Sequence, residues 1–410
     1  MANTFITPSW VLKDVARVAV NMLKFASQIE RWYDDKYKVG GAKAGYTVSG
    51  RLPQRFRTTK GQAFQAQPIN DQVVPVTLTD QANIATAWST ADATMVIEDV
   101  RKRYVNPAAE QLANTIDFDG LNRMTPTVWK SVGTPGVTPT SRATYMQAGA
   151  RLTKVAVPSD GRVAVLDPMA MVSLVQDTLT LFNPSAAISE NYRSGQFGRN
   201  ALGVGEWYQD QNIYTHTTGS FASSTPLVFG ASQTGNSLIT NGWVTATLNK
   251  GDVFTVAGVY EVNPQNYTST GILQQFVVTA TVSDTAGAMT ISISPSIIPD
   301  GNLQTVSASP ANGAAIIPLG STITTGAGTM AATSSPNSLI FHPEAFVLAM
   351  ADLDAELPGA EVTRVSDNEL NISLRYTRQY HIGTDQKMAR IDALYGFKEF
   401  RPDWAVRIWG

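Results

Sequence analysis

An apolar stripe runs along the N-terminal segment of the chain. Its members recur at alternating steps of four and three: Val11, Val15, Val18, Met22, Phe25, Ile29 and Trp32. This spacing predicts one face of an α-helix, and Thr7-Pro8 supplies an N-cap followed by proline at the first helical position. The pattern fits a helix packed on its own domain, and it fits equally an arm docked on a partner. We expect residues 1–40 to form this helical arm.

Two extended segments follow a glycine-rich break at 40–45. Tyr46–Arg57 and Val73–Leu78 flank a polar stretch, TTKGQAFQAQPINDQ, which has Lys60 near its tip. This arrangement predicts a long two-stranded hairpin over 41–80. An isolated two-stranded hairpin is marginal in water, so it needs a surface, which its own domain or a neighbouring molecule could supply.

Helical spacing returns from Thr94 to Ile116, and Asn106-Pro107 interrupts it. Proline removes an amide donor inside a helix but suits the first helical position, so we expect the helix to kink or restart at this point. Further helices are predicted over 142–152 and 169–181, with a short buried strand over 162–166 between them. Residues 142–215 therefore indicate an α/β layer.

The segment between Thr217 and Asn337 is almost uncharged. Its charged residues are Lys250, Asp252, Glu261, Asp284 and Asp300. The stretches WVTATLN, FVVTATV and MTISISP alternate apolar and polar residues with period two, which predicts strands with one buried face. We therefore expect an all-β inserted domain of barrel or sandwich type over 236–335, able to fold alone.

The chain after Pro336 mixes helical and extended patterns. His342–Leu353 is predicted to be a helix, the run from Asn371 to Phe400 long strands, and RPDWAVRIWG an extended end. The sum of these elements is an α+β protein.

Composition adds limits on function. Of 410 residues 43% are hydrophobic and 16% are charged, against a usual quarter charged. Such a surface is covered by other copies of the chain or is rich in Ser, Thr and Asn. The net charge of −2 excludes a dedicated basic nucleic-acid binder, and the absence of cysteine excludes disulfides and thiolate metal sites. We find neither a signal-peptide nor a transmembrane pattern and expect synthesis in a reducing cytoplasm, without a membrane partner.

Motifs that would carry chemistry are missing. The sequence has no GxxxxGK[ST], GxSxG or HExxH, and Gly203-Val204-Gly205 is a lone GxG without a third glycine in place. The three histidines lie far apart in sequence, and the carboxylates of Asp352, Asp354 and Glu356 are interpreted as a solvated helix end. We therefore predict no catalytic, cofactor-binding or metal-binding residues, and a protein that is not an enzyme.

The order of the segments resembles major capsid proteins of tailed double-stranded-DNA phages, specifically coat proteins of the phage P22 type. The stretches that carry the resemblance are RLPQRFRTTKGQAF, VVPVTLTDQANIATAWST, EDVRKRYVNPAAEQLANTIDFDGL, GEWYQDQNIYTHTTGS, GDVFTVAGVYEVNPQNYTSTGILQQFVVTATVSD, TISISPSIIP and RIDALYGFKEFRPDWAVRI. Their number and order, rather than any single motif, make the resemblance specific. It spans most of the chain.

The resemblance implies the tailed-phage capsid fold of the Hong Kong 97 type, with a small all-β barrel insertion. The implied parts are an arm (1–40), an extended loop (41–80), a peripheral domain with a spine helix (81–140), an axial domain (141–235), the inserted domain (236–335), and the axial remainder with closing peripheral strands (336–410).

The resemblance also implies a function. Subunits would form pentamers and hexamers of an icosahedral head, with a scaffolding protein, a portal and packaged double-stranded DNA bound without sequence specificity. Assembly would take place in the bacterial cytoplasm, and the shell would expand on maturation. Candidate inter-subunit contacts are Val11, Val15, Val18, Met22 and Phe25 on the arm, and Arg51, Arg55, Arg57 and Lys60 on the hairpin. The alternative is another structural or binding protein of a virion, such as a tail or adhesin-like component.

Overall fold

The computed structural model describes residues 23–33, 47–58, 60–61, 66–67, 69, 71–89, 106–178, 202–324, 326–354, 357–367 and 372–410. The chain divides into two compact units. The first comprises Met1–Arg51, Val73–Gly120 and Phe346–Phe400, and the second comprises Leu52–Gln72, Leu121–Ala345 and Arg401–Gly410. Each unit contains β-sheet of its own.

Strands outnumber helices along the whole described chain. The N-terminal half contains β1 (Glu30–Tyr33), β2 (Thr47–Arg51), β3 (Val73–Thr77), β4 (Asp80–Ser89), α1 (Asn106–Met124), β5 (Ser131–Val132), α2 (Arg142–Lys154), β6 (Val163–Leu166), α3 (Pro168–Thr178), β7 (Glu206–Gln209) and β8 (Thr215–Thr217). The middle contains β9 (Phe221–Ser224), β10 (Leu227–Val228), β11 (Gly235–Asn241), β12 (Thr247–Leu248), β13 (Val253–Val262), β14 (Ser269–Val278), β15 (Val282–Ser283), β16 (Ala288–Ile297), β17 (Ile316–Pro318) and β18 (Gly328–Met330). The C-terminal part contains β19 (Ser334–Phe341), β20 (Phe346–Ala351), β21 (Glu361–Asp367), β22 (Ile372–His381), β23 (Gln386–Glu399) and β24 (Ala405–Trp409). Short 3₁₀ turns occupy Thr125–Thr127, Pro343–Ala345 and Pro402–Trp404.

The first unit is built on one sheet with the strand order β1-β20-β23-β22-β21, and β4 also pairs with β23. Strand β1 runs parallel to β20, and the other pairs are antiparallel. The long strands predicted between 371 and 400 are confirmed as β22 and β23.

The helix predicted over His342–Leu353 is wrong. A 3₁₀ turn is followed by the strand β20, FVLAMA, whose six residues are all buried. An apolar run of this length fits a buried strand as well as a buried helix, because periodicity alone does not separate them. Here pairing with β1 on one side and β23 on the other selects the strand.

The predicted N-terminal helix does not extend to the last members of the apolar stripe, Ile29 and Trp32. Residues around Ile29 form turns, and Trp32 lies in β1. The carboxylate of Asp117 accepts hydrogen bonds from the backbone amides of Lys24 (2.5 Å) and Ala26 (2.8 Å). These two backbone amides therefore donate to a side-chain carboxylate and not to the carbonyl groups of a helix. The earlier part of the stripe lies outside the described residues.

The predicted hairpin is confirmed at its base, where β2 and β3 pair antiparallel from Thr47↔Thr77 to Arg51↔Val73. Two glycines allow close approach there. A Cβ on Gly50 would lie 1.9 Å from the Trp32 ring, and a Cβ on Gly396 would lie 2.2 Å from the carbonyl oxygen of Thr77. The base of the hairpin is thus held against the first unit at positions that admit no side chain.

Helix α1 begins at Asn106 and carries Pro107 in its first turn. Proline is favourable at the first helical position, and the kink or restart expected at Asn106-Pro107 stays a prediction. The preceding segment, 94–105, lies outside the described residues. No helix in the described part of the chain combines the length and hydropathy that crossing a bilayer would need.

The second unit contains a parent layer with the strand order β5-β24-β19-β6-β7, and β8 also pairs with β19. Helices α2 and α3 pack on this sheet through a shared core. The core includes Tyr145, Leu152, Met171, Leu174, Ala164, Leu166, Ile340, Val406 and Ile408. The predicted helices, the short buried strand and the extended C-terminal stretch are confirmed.

An all-β module leaves the parent sheet after β8 and returns at β19. We call residues 218–333 the β-insert. Its two ends meet, since the amide of Thr218 donates to the carbonyl of Thr333 at 3.0 Å. Its main sheet has the antiparallel order β10-β11-β16-β14-β13-β17. The core of the β-insert includes Phe221 and Val228, which precede the predicted boundary at 236.

One stretch of the β-insert departs from its pattern. WVTATLN is a strand over Thr247–Leu248 alone. Gly242 and Thr245 adopt positive φ angles of 81° and 47°, so the backbone turns where alternation predicted a continuous strand.

Candidate assembly surfaces

The predicted contacts of the N-terminal arm fall partly outside the described residues, which begin after Val11, Val15, Val18 and Met22. The fifth contact, Phe25, is fully buried. Its ring centroid lies 5.7 Å from that of Phe346 and 6.5 Å from that of Phe397. A contact between Phe25 and a second copy would require this core to open. The inter-subunit role of the arm stays a prediction.

The four basic residues predicted on the hairpin differ in their surroundings. Arg51 and Lys60 are exposed. Arg55 forms an ion pair with Asp403 at 3.2 Å, and Arg57 binds the β-insert of its own chain. Arg55 and Arg57 are therefore engaged within the subunit. Their contact with a neighbouring subunit stays a prediction.

Large apolar side chains on the hairpin point into solvent. Phe56 is 61% exposed, Ile69 is 76% exposed and Val73 is 53% exposed. Apolar residues that are exposed singly are ordinary, whereas large contiguous apolar patches mark binding surfaces. Contact of the hairpin with a neighbouring subunit stays a prediction.

A buried ion pair joins the parent layer to the β-insert. The Lys130 ammonium lies 3.6 Å from Glu261 Oε1, and both side chains are nearly inaccessible. Lys130 also donates to the carbonyl of Asp403 at 2.5 Å. Burial lowers the pKa of Lys130, although Glu261 favours its charged form. A cavity of about 130 Å³ adjoins the pair and is also lined by Arg55.

An amide clamp lies at the same junction. The side-chain oxygen of Gln275 in β14 accepts from the amide of Ser131 at 2.7 Å, and its nitrogen donates to the Ser131 carbonyl at 3.0 Å. Arg151 from α2 also donates to Gln275 and, at 2.7 Å, to the same carbonyl. Strand β5 is thereby tied to the β-insert through the side chains of Gln275 and Arg151.

A second buried polar cluster lies around the turn 249–252. His216 Nε2 is 2.8 Å from Asp252 Oδ1, and the Tyr214 hydroxyl is 3.2 Å from His216 Nδ1. Asp252 Oδ2 accepts from the amides of Gly219 (2.9 Å) and Asn249 (2.7 Å). The Asp252 carboxylate thus connects β8 to the turn that opens β13.

Arg407 completes this cluster from the parent sheet. It is fully buried and donates to the carbonyl of Gly251 at 2.8 Å. Burial lowers the pKa of Arg407 to about 10, while Tyr214 and Asp252 favour its charged form. The cluster joins two layers of the second unit through charge and hydrogen bonds.

The histidines and the carboxylates near residue 352 differ in their surroundings within the described ranges. No three His, Asp or Glu side chains there converge as metal ligands. His216 is buried in the cluster above, His342 packs edge-on to Trp404, and His381 is exposed beside Thr384. Asp352 pairs with Arg364 at 3.3 Å, and Glu356 lies outside the described residues.

Sequence reasoning missed the junction residues. Lys130 and Glu261, like His216 and Asp252, are distant in sequence, so no local pattern pairs them. A signal was nevertheless present. In a segment with so few charges, each charged residue that persists is a candidate for a specific partner, because burying an unpaired charge is costly.

Comparison with known proteins identifies the chain. The family model for the P22 coat protein, gene protein 5, matches residues 20–410. The chain belongs to the P22 coat protein family. As a P22-type coat protein it is a capsid protein and virion component rather than an enzyme. The predicted family and α+β capsid fold are confirmed, and such coat proteins assemble into multimers.

Solved structures similar to this P22-type coat protein include a chain from the asymmetric unit of the bacteriophage PhiM1 mature capsid. It is 9% identical, with a TM-score of 0.45 over 100% of this chain and 89% of that chain. A chain from Mycobacterium phage Che8 is 15% identical, with a TM-score of 0.44 over 94% and 90%. The CUS-3 coat protein I-domain is 25% identical, with a TM-score of 0.19 over 24% of this chain and 97% of that chain. No curated protein sequence matches the coat protein. The family match decides the identification.

Proposed function

We propose that this coat protein is the subunit that builds the icosahedral head of a tailed phage. In this proposal it forms pentamers and hexamers around double-stranded DNA, with a scaffolding protein and a portal, in the cytoplasm of the bacterial host. A scaffold-filled precursor shell forms first and expands when DNA enters. Family membership supports the shell-building role, and the finer steps are our extension of it.

The observation that carries the proposal is the exposure of Phe56, Ile69 and Val73 on the hairpin. Cover by another molecule would remove these side chains from water, and fully burying a large apolar side chain contributes about 1.5–3 kcal/mol. A closed shell repeats such contacts around every subunit, so weak contacts add up. This supports the hairpin as an inter-subunit element.

The charge of the chain supports a role around DNA without base recognition. A net charge of −2 gives no excess of basic groups to bind phosphates, and phosphate neutralisation dominates affinity for DNA. A shell with an inner surface of this kind can enclose dense DNA without binding it tightly.

Electron microscopy and sedimentation of the purified protein, expressed alone and with its scaffolding protein, test the proposal. We expect closed shells or uniform rings from the unmodified chain. Phe56→Ser combined with Ile69→Ser should leave a folded subunit that closes shells poorly, and deletion of 58–70 should do the same. The matched control is Gln72→Ser, which changes an exposed polar position on the same hairpin and should assemble normally.

A monomer that stays monomeric under every condition, with or without scaffold, would contradict the proposal. That result would favour the tail or adhesin-like alternative. Normal shells from the Phe56→Ser/Ile69→Ser variant would contradict the role of the hairpin alone.

A further inference from the structure

Arg57, in the segment between β2 and β3, lies in a socket on the β-insert of its own chain. Its guanidinium carbon is 4.4 Å from the centroid of the Tyr267 ring. One terminal nitrogen lies 3.1 Å from Asp300 Oδ1, and the other donates to Gln304 Oε1 at 2.6 Å. An aromatic face, a carboxylate and an amide oxygen together are the groups that recognise a planar guanidinium.

The aromatic wall of the socket is fixed by the β-insert itself. Tyr267 adopts a left-handed backbone conformation with φ 56°. Its amide donates to the carbonyl of Asn263 at 2.9 Å, and its hydroxyl donates to the carbonyl of Asn302 at 3.1 Å. Tyr267 is therefore held by the β-insert both at its backbone amide and at its hydroxyl.

The polar wall is oriented in the same way. Gln304 donates through Nε2 to the carbonyl of Val306 at 3.0 Å, so its oxygen faces the guanidinium. The amide of Gly301 donates to Asp300 Oδ1 at 2.7 Å. The Gly301 amide and the Arg57 guanidinium lower the pKa of the Asp300 carboxyl. The acceptors are thus directed towards Arg57 by bonds that do not involve it.

On the hairpin side, Arg57 is bonded to Gln67 in the limb that returns towards β3. The amide of Arg57 donates to Gln67 Oε1 at 2.9 Å, and Gln67 Nε2 donates back to the Arg57 carbonyl. Asn302 Nδ2 lies 3.4 Å from the same Gln67 oxygen. Both limbs of the hairpin tip therefore meet the β-insert at one place, while the neighbouring Phe56 side chain stays exposed.

We propose that Tyr267, Asp300 and Gln304 form a guanidinium socket whose partner in the assembled shell is Arg57 of the same subunit. The socket sets the direction in which the hairpin presents Phe56 and Ile69 to a neighbour. Arg57 is then an internal anchor rather than an inter-subunit contact. This inference rests on the proposed shell-building function and specifies how the hairpin is aimed.

A disulfide trap shows whether the socket holds the Arg57 side of the hairpin from its own subunit or from a neighbouring subunit. The chain has no cysteine, so Gln67→Cys with Asn302→Cys introduces a single pair at the contact. Assembled shells are oxidised, denatured without reductant and separated by electrophoresis. We expect a monomer-sized band of altered mobility, since the bond closes within one chain. The two single-cysteine variants are the controls and should show no such band.

Bands of crosslinked dimers and higher multimers would overturn the proposal, because they place the socket partner on another subunit. The absence of any crosslink would overturn it as well. If the unmodified chain forms no shells at all, the proposed function itself fails, so the two failures are distinguishable.

Limited proteolysis of the soluble subunit gives a second measurement. A lysine-specific protease should cut after Lys60 about tenfold faster in Arg57→Ala and in Tyr267→Leu, because each removes a strong contact of the hairpin tip. Arg57→Lys should resemble Arg57→Ala, since an ammonium provides no planar fork. Cleavage after exposed Lys250 is the internal control and should be unchanged. Equal rates at Lys60 in all variants would overturn the proposal.

Discussion

The Lys130 ammonium and the Glu261 carboxylate face each other at 3.6 Å in the interior of the second unit, with 3% and 6% of their side chains exposed. One belongs to the parent layer and the other to strand β13 of the β-insert. Glu261 Oε2 has no hydrogen-bond partner among the described residues. Lys130 pairs directly with this carboxylate, and the Arg151 guanidinium also interacts with it electrostatically.

Removing one member of this pair should destabilise the protein strongly. We expect Lys130→Met to lower the free energy of unfolding by about 3–5 kcal/mol, because it leaves the buried Glu261 carboxylate without its paired cation. The double variant Lys130→Met/Glu261→Leu should recover most of the loss. Urea unfolding of the subunit measures both. The control, Arg378→Met, breaks a half-exposed ion pair with Glu361 and should cost less than about 1 kcal/mol. Equal losses at the two sites would contradict the prediction.

Lys130 should also impose a pH dependence on stability. Burial lowers its folded-state pKa below the ordinary 10.5. Between the lowered value and 10.5 the unfolded chain holds one more proton, so raising the pH through this window stabilises the folded state, by at most about 1.4 kcal/mol per unit. The gain in stability ends when the pH reaches the unfolded-state pKa of 10.5. Urea unfolding of the wild type and of Lys130→Met across this window tests the slope, and parallel curves would contradict it.

The Asp252 carboxylate should contribute more to the free energy of unfolding than a similar carboxylate elsewhere in the β-insert. Asp252→Asn removes the charge beside His216 and Arg407, and we expect a loss of about 1.5–3 kcal/mol in unfolding free energy. The control is Asp284→Asn, because Asp284 also accepts two backbone amides, from Ala246 at 2.6 Å and Gly287 at 3.3 Å. It should cost about 1 kcal/mol or less. Thermal unfolding followed by circular dichroism measures the difference. A larger loss at Asp284 would refute the ranking.

Gly50 should be intolerant of any side chain. A Cβ there would meet the Trp32 ring, whose centroid lies 5.1 Å from that of Phe400 in an edge-to-face contact. Gly50→Ala should cost about 1–3 kcal/mol by overpacking and should shift tryptophan fluorescence. Adding Trp32→Leu should restore part of the stability. Ser49→Ala, on the same strand, is the control, and an effect as large as that of Gly50→Ala would argue against steric conflict.

Much of the fold could be predicted because its signals are local. The period-two alternation of MTISISP predicts β16, and the short apolar run predicted as a buried strand over 162–166 is β6. The errors have a physical cause. The run FVLAMA at 346–351 is apolar on both faces, and Trp32 follows a helical stripe, so in both cases pairing with a distant strand decided the structure.

The candidate assembly surface was less accessible to sequence reasoning. Arg55 and Arg57 are basic residues on a predicted hairpin, and nothing local to them indicates Asp403 or the socket at Tyr267. The sparse charges of the β-insert carried more information. Asp252, Glu261 and Asp300 each have a specific cationic or histidine partner, a relationship that only the folded chain reveals.

The position of β24 has a consequence for biosynthesis. This strand lies between β5 and β19, inside the parent sheet, and its five residues are all buried. The ribosome must therefore release residues 405–409 before that sheet can close. The β-insert is contiguous in sequence, so it can fold while translation continues. We expect nascent chains to carry a folded β-insert beside an unfinished parent layer, a stage at which chaperones would find exposed apolar strands.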